Sequence, residues 1–350
     1  MSFPQNMTVG QIQSMVENPG TPIRPPAVAL LTIDSRDRVV IDSATGYRID
    51  TTTPNQIYIN RQQSLVQGFF TRLGLTELNM EWNVPNVIDN GPCKNNTLLL
   101  ESGATPGLGV VTGSYRIIIN GGFYTPNELA AQITENLNSA SAFGSASWLC
   151  SYAERDLLNN CNVFNIVCNP AAPAPAVYFR IRPENFSSND DLCNLMGFSY
   201  PPREFSISIT GSFSSMLYTP YFDIVSTNIT KKQNVRDNST NAITGQNLLT
   251  RVYLSQNDIT TQRERTNPLL GPTDCNIVGT RPFTLYRQYA LPKQIYWDTK
   301  EFIGVIDLRL VDYKGRTLYS SPETPFNPLT EFGFCANASN YQLTIQVTET

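Results

Sequence analysis

Short apolar stretches, separated by turns rich in Gly, Pro and Asn, recur along most of the sequence. In Val177–Arg182 the residues Val177, Phe179 and Ile181 alternate with more polar neighbours, which is the period-two pattern of a half-buried strand. Further strands are predicted where bulky and β-branched residues stand between turn residues. These predicted strands are Val28–Ile33, Leu65–Phe70, Leu73–Val84, Thr97–Glu101, Tyr115–Asn120, Val163–Val167, Phe205–Ile209, Tyr218–Val225, Leu248–Leu254, Phe283–Leu291, Phe302–Val311 and Tyr341–Val347. The pattern indicates an all-β fold, an antiparallel β-sandwich or jelly roll, with long loops and one or two short helices.

One segment departs from this pattern and predicts a helix. Thr125 has the character of an N-cap, Pro126 stands at the first helical position, and Glu128 completes a capping box. The apolar residues that recur at every fourth position after them are Leu129, Ile133 and Leu137. We expect this apolar face to cover a sheet. A shorter helical turn is predicted over Asp190–Met196 and ends at Gly197.

The first 27 residues differ from the remainder of the chain. A capping box at Thr8–Gln11 predicts a short amphipathic helix, and a Pro-rich stretch follows it. We therefore predict an N-terminal arm, residues 1–27, and one elaborated jelly-roll domain, residues 28–347. The arm either docks on a neighbouring subunit or folds back on its own domain. The polar stretch Ser255–Arg281 is predicted to be a long surface loop, a kind of segment that is usually functional or mobile.

The composition argues against several classes of function. The chain has no His, which removes the commonest general base, the usual Ser and Cys triads and most zinc sites. Its net charge is −4 and no stretch is densely basic, so nucleic acid is not an expected partner. The first residues lack the features of a secretory signal, and no apolar run approaches the roughly 18 residues of a membrane span. We predict a protein of a soluble compartment that is not an enzyme.

The seven cysteines include no CxxC pair and are not spaced as metal ligands. They are Cys93, Cys150, Cys161, Cys168, Cys193, Cys275 and Cys335. Free, buried thiols are the favoured interpretation, because cysteine is among the most buried residue types. A disulfide within the group from Cys150 to Cys193 is the alternative.

Three acidic residues near the first predicted strand, Asp34, Asp37 and Asp42, offer oxygen ligands of the kind that Ca²⁺ prefers. Their spacing does not match that of an EF-hand loop. We therefore favour a solvated turn in which Arg36 and Arg38 pair with the carboxylates. The sequence assigns no metal ligand, no catalytic residue and no cofactor-binding residue.

Two pairs of carboxylates, Asp190 with Asp191 and Asp307 with Asp312, are the nearest candidates for acid/base catalysis. Glycosidases place two such groups roughly 5–10 Å apart in a cleft. A structural role is favoured for both pairs, because one begins a helical turn and the other flanks a strand and a turn.

The aromatic residues have two alternative interpretations. Trp82, Trp148 and Trp297, together with 16 Tyr and 17 Phe, either line a glycan site or an interface, or fill the core. Aromatic residues in strands are mostly core, and those left exposed on loops serve as interface anchors. The Gly-rich stretch Gly103–Gly113 lacks the spacing of a nucleotide-binding loop.

Seven segments, spread over most of the predicted domain, are informative through their order. They are Ile33–Arg38, Leu78–Ile88, Ile117–Thr125 with the helix Glu128–Leu137, Leu195–Phe198, Tyr221–Ser226, Pro292–Asp298 and Leu308–Arg316. The last of them includes Asp312 and Gly315 in a predicted turn. In this order the segments resemble the jelly-roll minor capsid and penton proteins of large icosahedral double-stranded DNA viruses of the giant-virus type.

The resemblance implies a viral structural protein without catalytic residues, a minor capsid component that cements or links major capsid capsomers. The implied partners are the major capsid protein, other minor capsid proteins and proteins of an internal viral membrane, and a homo-oligomer is a further expectation. The implied location is the virion, after assembly in the host cytoplasm. The arm and the loop 255–281 are the first choices for contact elements.

Two alternatives stay open at this point. The first alternative, from the same class of viral structural proteins, is a penton protein that forms pentamers at the vertices. The second, from another class, is a glycan-binding or glycan-cleaving β-sandwich used in host attachment.

Overall fold

The computed structural model of the chain describes residues 28–41, 48–50, 55–60, 72–91, 93–140, 146–153, 162–170, 177–182, 192–198, 204–231, 247–254, 282–297, 303–319 and 339–348. The strands are β1 Val28–Asp34, β2 Val39–Ile41, β3 Arg48–Asp50, β4 Gln56–Asn60, β5 Arg72–Trp82, β6 Thr97–Gly103, β7 Val111–Ile118, β8 Ala146–Ala153, β9 Val163–Pro170, β10 Tyr178–Ile181, β11 Ser208–Phe213, β12 Tyr221–Val225, β13 Leu248–Tyr253, β14 Phe283–Gln288, β15 Ile295–Tyr296, β16 Val305–Asp312 and β17 Tyr341–Thr348. The helices are α1 Pro126–Ser139, α2 Cys193–Met196 and a 3₁₀ helix at Ser35–Arg38.

Eight of the strands form the frame of the fold. One sheet has the order β1-β17-β5-β14, with β15 also paired to β5, and the other has the order β13-β12-β16-β4. Numbered in chain order, the eight strands pair first with eighth (β1–β17), second with seventh (β4–β16), third with sixth (β5–β14) and fourth with fifth (β12–β13), all antiparallel. Such nested pairs arise when one long hairpin folds over into two sheets, which is the jelly-roll topology. The predicted all-β jelly roll is confirmed.

The inward residues of these two sheets form the first hydrophobic core. Leu343 on β17 and Leu308 on β16 are at most 1% exposed. Trp82, at the end of β5, packs between the sheets, with its ring centroid 5.7 Å from that of Phe222 on β12 and 6.0 Å from that of Phe283 on β14. Burial of such large apolar side chains is the main favourable contribution to the stability of the sandwich.

The connection from β5 to β12 carries a second unit with its own hydrophobic core. This inserted unit comprises the sheets β10-β6-β7 and β11-β9-β8, together with α1 and α2. One short segment joins the two sheets, because Phe205 and Ser206 form bridges with Gly107 and Phe179 just before β11 begins. The Phe205 ring lies so close to Gly103 that a Cβ added there would come within 2.8 Å of it.

Helix α1 begins and packs as the sequence predicts. The Thr125 hydroxyl accepts a hydrogen bond from the Glu128 amide, and the Glu128 carboxylate accepts one from the Thr125 amide. Its apolar residues are buried in the inserted core, and the helix packs on β8 and β7. Among the described residues, neither α-helix has the length and apolar character that a membrane span demands.

The same helix covers the open edge of β8. The Asn138 side chain accepts a hydrogen bond from the Trp148 amide at 2.7 Å and donates one to the Trp148 carbonyl at 2.9 Å. The Thr134 hydroxyl accepts a hydrogen bond from the Cys150 amide at 2.8 Å. Unpaired backbone groups on an edge strand invite pairing with another chain. These contacts therefore block β8 as an edge for assembly.

The observed strands follow most of the predicted ones, with differences at their ends. The strand predicted over Phe205–Ile209 begins only at Ser208, because the chain crosses from one sheet to the other just before it. Ile207 is consequently 45% exposed and does not share the buried face of Phe205 and Ile209, which corrects that part of the prediction. The strand predicted over Tyr115–Asn120 starts earlier, at Val111.

Several predictions fall on residues outside the described ranges. They are the arm 1–27, the strand Leu65–Phe70 and the loop Ser255–Arg281. The division into an arm and one elaborated domain, residues 28–347, stays a prediction.

Candidate interaction surfaces

The jelly roll has two lateral edges, each formed by one strand from each sheet. Strands β1 and β4 lie on one side, where β4 contacts the 3₁₀ helix that follows β1. Strands β13 and β14 lie on the other side, where the Arg287 guanidinium on β14 donates a hydrogen bond to the Tyr253 carbonyl on β13 at 2.9 Å. We name these surfaces the β1–β4 edge and the β13–β14 edge.

Both edges expose large apolar or aromatic side chains. On the β1–β4 edge Leu30 is 68% exposed, and Val28 and Tyr58 are more than half exposed. On the β13–β14 edge Tyr253 and Tyr286 are more than half exposed, as are Leu291 and Tyr296 on the segment that continues from β14 into β15. Clusters of such side chains on a protein surface mark interaction sites more often than isolated ones do. The two edges are therefore the candidate interaction surfaces of the jelly roll.

An ion pair lies on the outward face of the β13-β12-β16-β4 sheet. Arg251 on β13 donates hydrogen bonds to Asp223 on β12 at 2.7 and 2.9 Å, and its guanidinium lies 4.1 Å from the centroid of the Tyr221 ring. The hydrogen bond to Asp223 is the main cause that raises the pKa of Arg251. The Tyr221 ring lies 5.7 Å from the Tyr253 ring, so the aromatic surface extends to the β13–β14 edge.

The structure does not bring Asp307 and Asp312 together as a catalytic pair. They are five positions apart on β16, which corresponds to about 16 Å along a strand. The Asp307 carboxylate accepts hydrogen bonds from the Ser226 hydroxyl at 2.8 Å and from two amides of the following turn at 2.9 Å, so it holds the turn after β12. Asp190 and Asp191 lie outside the described residues.

Asp312 lies at the junction between the jelly roll and the inserted unit and is 1% exposed. Its carboxylate accepts hydrogen bonds from the Tyr218 hydroxyl at 2.7 Å, from Arg316 Nε at 2.8 Å and from the amides of Lys314 and Arg316 at 2.9 Å. Burial, followed by the charge of Asp312, raises the pKa of Tyr218. We name Tyr218, Asp312 and Arg316 the junction cluster. This cluster connects Tyr218, on the segment that leads from the inserted unit into β12, with the turn that follows β16.

Of the three acidic residues near β1, Asp34 and Asp37 lie within the described ranges, and Asp34 forms the predicted turn with Arg36. The Asp34 carboxylate accepts hydrogen bonds from the amide and from Nε of Arg36, both at 2.9 Å, and this contact raises the pKa of Arg36. Asp37 is exposed, while Asp42 and the side chain of Arg38 lie outside the described part. Within the described ranges, no three His, Cys, Asp or Glu side chains gather as a metal site requires.

The three tryptophans lie in the cores and do not form a surface. Trp82 and Trp148 are at most 3% exposed and Trp297 is 8% exposed. Trp148 meets Phe179 edge-on at 4.9 Å between ring centroids. The stretch Gly103–Gly113 forms the hairpin between β6 and β7. The exposed aromatic residues of the edges are tyrosines.

The four cysteines within the described ranges are free and buried, as the sequence favours. They are Cys93, Cys150, Cys168 and Cys193. The remaining cysteines, Cys161, Cys275 and Cys335, lie outside those ranges. Burial raises the pKa of the Cys93 and Cys168 thiols, and it raises the pKa of Cys150 to about 12.

We expect alkaline pH to weaken the fold through Cys150. In the unfolded chain this thiol ionises near its ordinary pKa of 9.0, whereas in the folded chain it keeps its proton up to about pH 12. Between these pH values the unfolded state binds one proton fewer, so the free energy of unfolding falls by about 1.4 kcal/mol per pH unit, and below them the contribution is constant. Urea unfolding from about pH 8.5 to 10.5 should show a shallower loss for Cys150→Ala than for the wild type. Equal losses of the free energy of unfolding per pH unit in the two proteins would contradict the raised pKa of Cys150.

Sequence reasoning named Asp312 but missed its partners Tyr218 and Arg316. A local signal for Arg316 was present, because a turn with Gly315 returns the chain so that the residue four positions after Asp312 faces it. Tyr218 is 94 positions away from Asp312, and no sequence pattern links the two. The exposed tyrosines carried a usable signal, because Tyr58 occupies the solvent position of an alternating strand.

Comparison with known proteins adds a likeness in fold. The sequence matches no protein-family model, and no curated protein matches it. Among solved structures, the chain is similar to the crystal structure of the selenomethionine-labelled mavirus penton protein. The TM-score is 0.47 and the sequence identity 12%, and the match covers 93% of this chain and 100% of that chain. Similarity at this level assigns neither a family nor a function to the chain.

Proposed function

We propose that the chain is a structural subunit of an icosahedral viral shell, a minor capsid component that links major capsid capsomers, and that it is not an enzyme. The observation that carries this proposal is a jelly roll whose two opposite edges both expose large apolar side chains. Its buried and half-buried carboxylates Asp223, Asp307 and Asp312 accept hydrogen bonds from neighbouring side chains of the fold. A protein that works alone usually keeps its sheet edges short, charged or covered.

Opposite edges suit repeated lateral contacts. A contact between the β1–β4 edge of one copy and the β13–β14 edge of the next joins two different surfaces, so it is heterologous. Heterologous contacts close into rings or extend into lattices, depending on the rotation between neighbours. The exposed Tyr and Leu side chains would act as buried anchors within a polar rim.

The same edges favour a second candidate, a penton protein at the vertices. A ring of five copies requires each copy to present two different surfaces on opposite sides, and the jelly roll has two such surfaces. The glycan-binding alternative has no comparable support, because the tryptophans are core residues and Asp307 lies far from Asp312.

On this proposal the partners are the major capsid protein, other minor capsid proteins and proteins of an internal viral membrane, and nucleic acid is not a partner. The chain would reside in the virion after assembly in the host cytoplasm. Val28, which follows the predicted arm 1–27, pairs with Thr348, and Thr348 pairs with Arg72 at the start of β5, whereas the inserted unit follows the other end of β5. We propose that the arm and the inserted unit make contacts at opposite ends of the sandwich.

The test compares the wild type with three variants. Tyr58→Glu alters the β1–β4 edge and Tyr253→Glu alters the β13–β14 edge. Phe213→Glu is the matched control, because Phe213 on the inserted unit is 60% exposed and Tyr253 is 61% exposed. Mass in solution is measured by light scattering on a size-exclusion column, and binding to capsomers is measured separately.

A pentamer that the two edge variants, but not the control, convert to monomers would support the penton candidate. A monomer whose capsomer binding falls about tenfold in the edge variants would support the linking role, since tenfold is the effect of one moderate interface anchor. If Tyr58→Glu and Tyr253→Glu associate and bind capsomers as Phe213→Glu does, both the penton candidate and the linking role are contradicted.

A further inference from the structure

Two Asn-Gly pairs occur in the sequence, Asn90-Gly91 and Asn120-Gly121. The first lies in the connection from β5 to β6, the second follows β7, and all four residues are exposed. We propose that Asn90 is a site of spontaneous deamidation and isoaspartate formation, whereas the fold protects Asn120 through the carboxylate of Asp89. This chemistry does not depend on the capsid role.

Deamidation requires the backbone nitrogen of the following residue to attack the side-chain amide carbon of asparagine. Here the Gly91 nitrogen would form a bond to Cγ of Asn90, the bond from Cγ to Nδ2 would break, and ammonia would leave with the proton that the Gly91 nitrogen loses. Water then opens the succinimide ring at either carbonyl, which gives aspartate or isoaspartate. Glycine favours the reaction because it has no side chain to obstruct the ring and adopts many backbone conformations.

The first pair is free to adopt the geometry of attack. Within the described part of the chain, the Gly91 amide donates no hydrogen bond, and its carbonyl accepts only a long one, of 3.3 Å, from the Lys94 amide. A Cβ added at Gly91 would meet nothing within 4 Å, so the surrounding atoms leave room for the ring. The nitrogen that must react is therefore accessible, and the exposed Asn90 side chain can turn towards it.

The second pair is held at the nitrogen that would have to react. The Gly121 amide donates a hydrogen bond to the Asp89 carboxylate at 2.9 Å. Attack by this nitrogen requires the loss of its proton, and the carboxylate both binds that proton and repels the negative charge that develops. The succinimide would also lose this hydrogen bond, because its ring nitrogen carries no hydrogen. Asp89 therefore slows the reaction at Asn120.

The backbone on both sides of the second pair is also fixed. The Ile119 amide donates a hydrogen bond to the Asn96 carbonyl at 3.0 Å, and Gly122 exchanges two hydrogen bonds with Val87, at 2.9 and 3.2 Å. A ring formed between these two fixed points would strain them, which adds to the protection by Asp89.

The test incubates the full chain at mildly alkaline pH, both folded and in urea, and follows the two pairs by peptide mapping with mass spectrometry. Isoaspartyl methyltransferase identifies the isoaspartate product. In the folded chain we expect Asn90 to react about tenfold faster than Asn120, the effect of one charge-assisted hydrogen bond. In urea the two rates should become similar, because the hydrogen bond to Asp89 is then absent.

Two substitutions separate the causes. Asp89→Ala frees the Gly121 amide and should raise the rate at Asn120 several-fold in the folded chain. Gly91→Ala should slow the reaction at Asn90, because the methyl group obstructs the ring, and should leave Asn120 unchanged. Asp89 and Gly91 are both exposed, so both variants should fold.

Three outcomes would overturn the proposal. The first is the absence of isoaspartate at Asn90 in the folded chain, or a rate at Asn120 that equals or exceeds the rate at Asn90. The second is a difference of the same size in urea, which would trace it to the neighbouring sequence and not to the fold. The third is an unchanged rate at Asn120 in Asp89→Ala, which would show that this carboxylate does not protect the pair.

Discussion

Arg316→Met is expected to lower the free energy of unfolding by about 3–5 kcal/mol. Arg316 is the cation that balances the Asp312 carboxylate, and the side chain of Asp312 is 0% exposed. Methionine fills a similar length but donates no hydrogen bond, so the carboxylate stays buried with the Tyr218 hydroxyl and two amides as its partners. Removal of one member of a buried ion pair is costly because the remaining charge is neither solvated nor paired.

Arg36→Met is the matched control for this effect. Arg36 pairs with Asp34 through its Nε at 2.9 Å, close to the 2.8 Å of the Arg316 pair, but its side chain is 54% exposed. An exposed pair contributes about 0–1 kcal/mol, so the control should lose little stability. Urea unfolding followed by circular dichroism measures both variants. Equal losses would contradict the claim that burial decides the cost. Combining Arg316→Met with Asp312→Asn should recover part of the loss, because the buried charge is then removed.

Local features of the fold were predictable from the sequence because short-range interactions determine them. The capping box at Thr125 involves residues three positions apart, and the structure contains both of its hydrogen bonds. Gly197 ends α2 with a positive φ of 81°, a conformation that glycine adopts without steric cost. Runs of bulky and β-branched residues between turn residues located most of the described strands.

The choice of jelly roll over other sandwiches depended on pairings that no local pattern contains. Strands β1 and β17 pair Val28 with Thr348 across nearly the whole chain. Alternation also gives no indication of which core a strand faces, so the second core of the inserted unit was not anticipated. Ile207 shows the limit most directly. The alternation continues through it, but the chain changes sheets between Ser206 and Ser208, and the side chain ends in solvent.

The sequence predicted that exposed aromatic side chains form the candidate surfaces, but not where in the fold these surfaces lie. Exposed aromatic anchors were expected on loops, whereas Tyr58 and Tyr286 occupy solvent positions of strands. That β4 lies beside β1 and that β14 lies beside β13 follows from the way the two sheets pack on each other, which no local pattern contains. A pocket of about 300 Å³ lined by Leu195 and Lys314 likewise depends on contacts between the inserted unit and the turn after β16.

Gly197→Ala is expected to lower the free energy of unfolding by about 2–5 kcal/mol. About 1–2 kcal/mol of this arises because a residue with a Cβ is strained in the left-handed conformation. The larger cost comes from contact, since the added Cβ would lie 2.3 Å from the Ser212 carbonyl oxygen and 2.8 Å from that of Phe213. Both are backbone atoms of β11, and the Ser212 amide donates a hydrogen bond to the Gly197 carbonyl at 2.7 Å. The strand therefore cannot retreat without breaking that bond.

Gly91→Ala separates the two contributions. Gly91 also has a positive φ, 71°, but an added Cβ would meet nothing within 4 Å. Its variant should lose only the conformational part, about 1–2 kcal/mol. The difference between the two variants in urea unfolding then measures the clash against β11. A difference near zero would mean that β11 moves freely away from α2, and the inserted unit would be less tightly packed at this contact than its buried residues indicate. A difference of about 1 kcal/mol or more would show that the α2–β11 contact resists displacement, as expected where backbone meets backbone in a packed core.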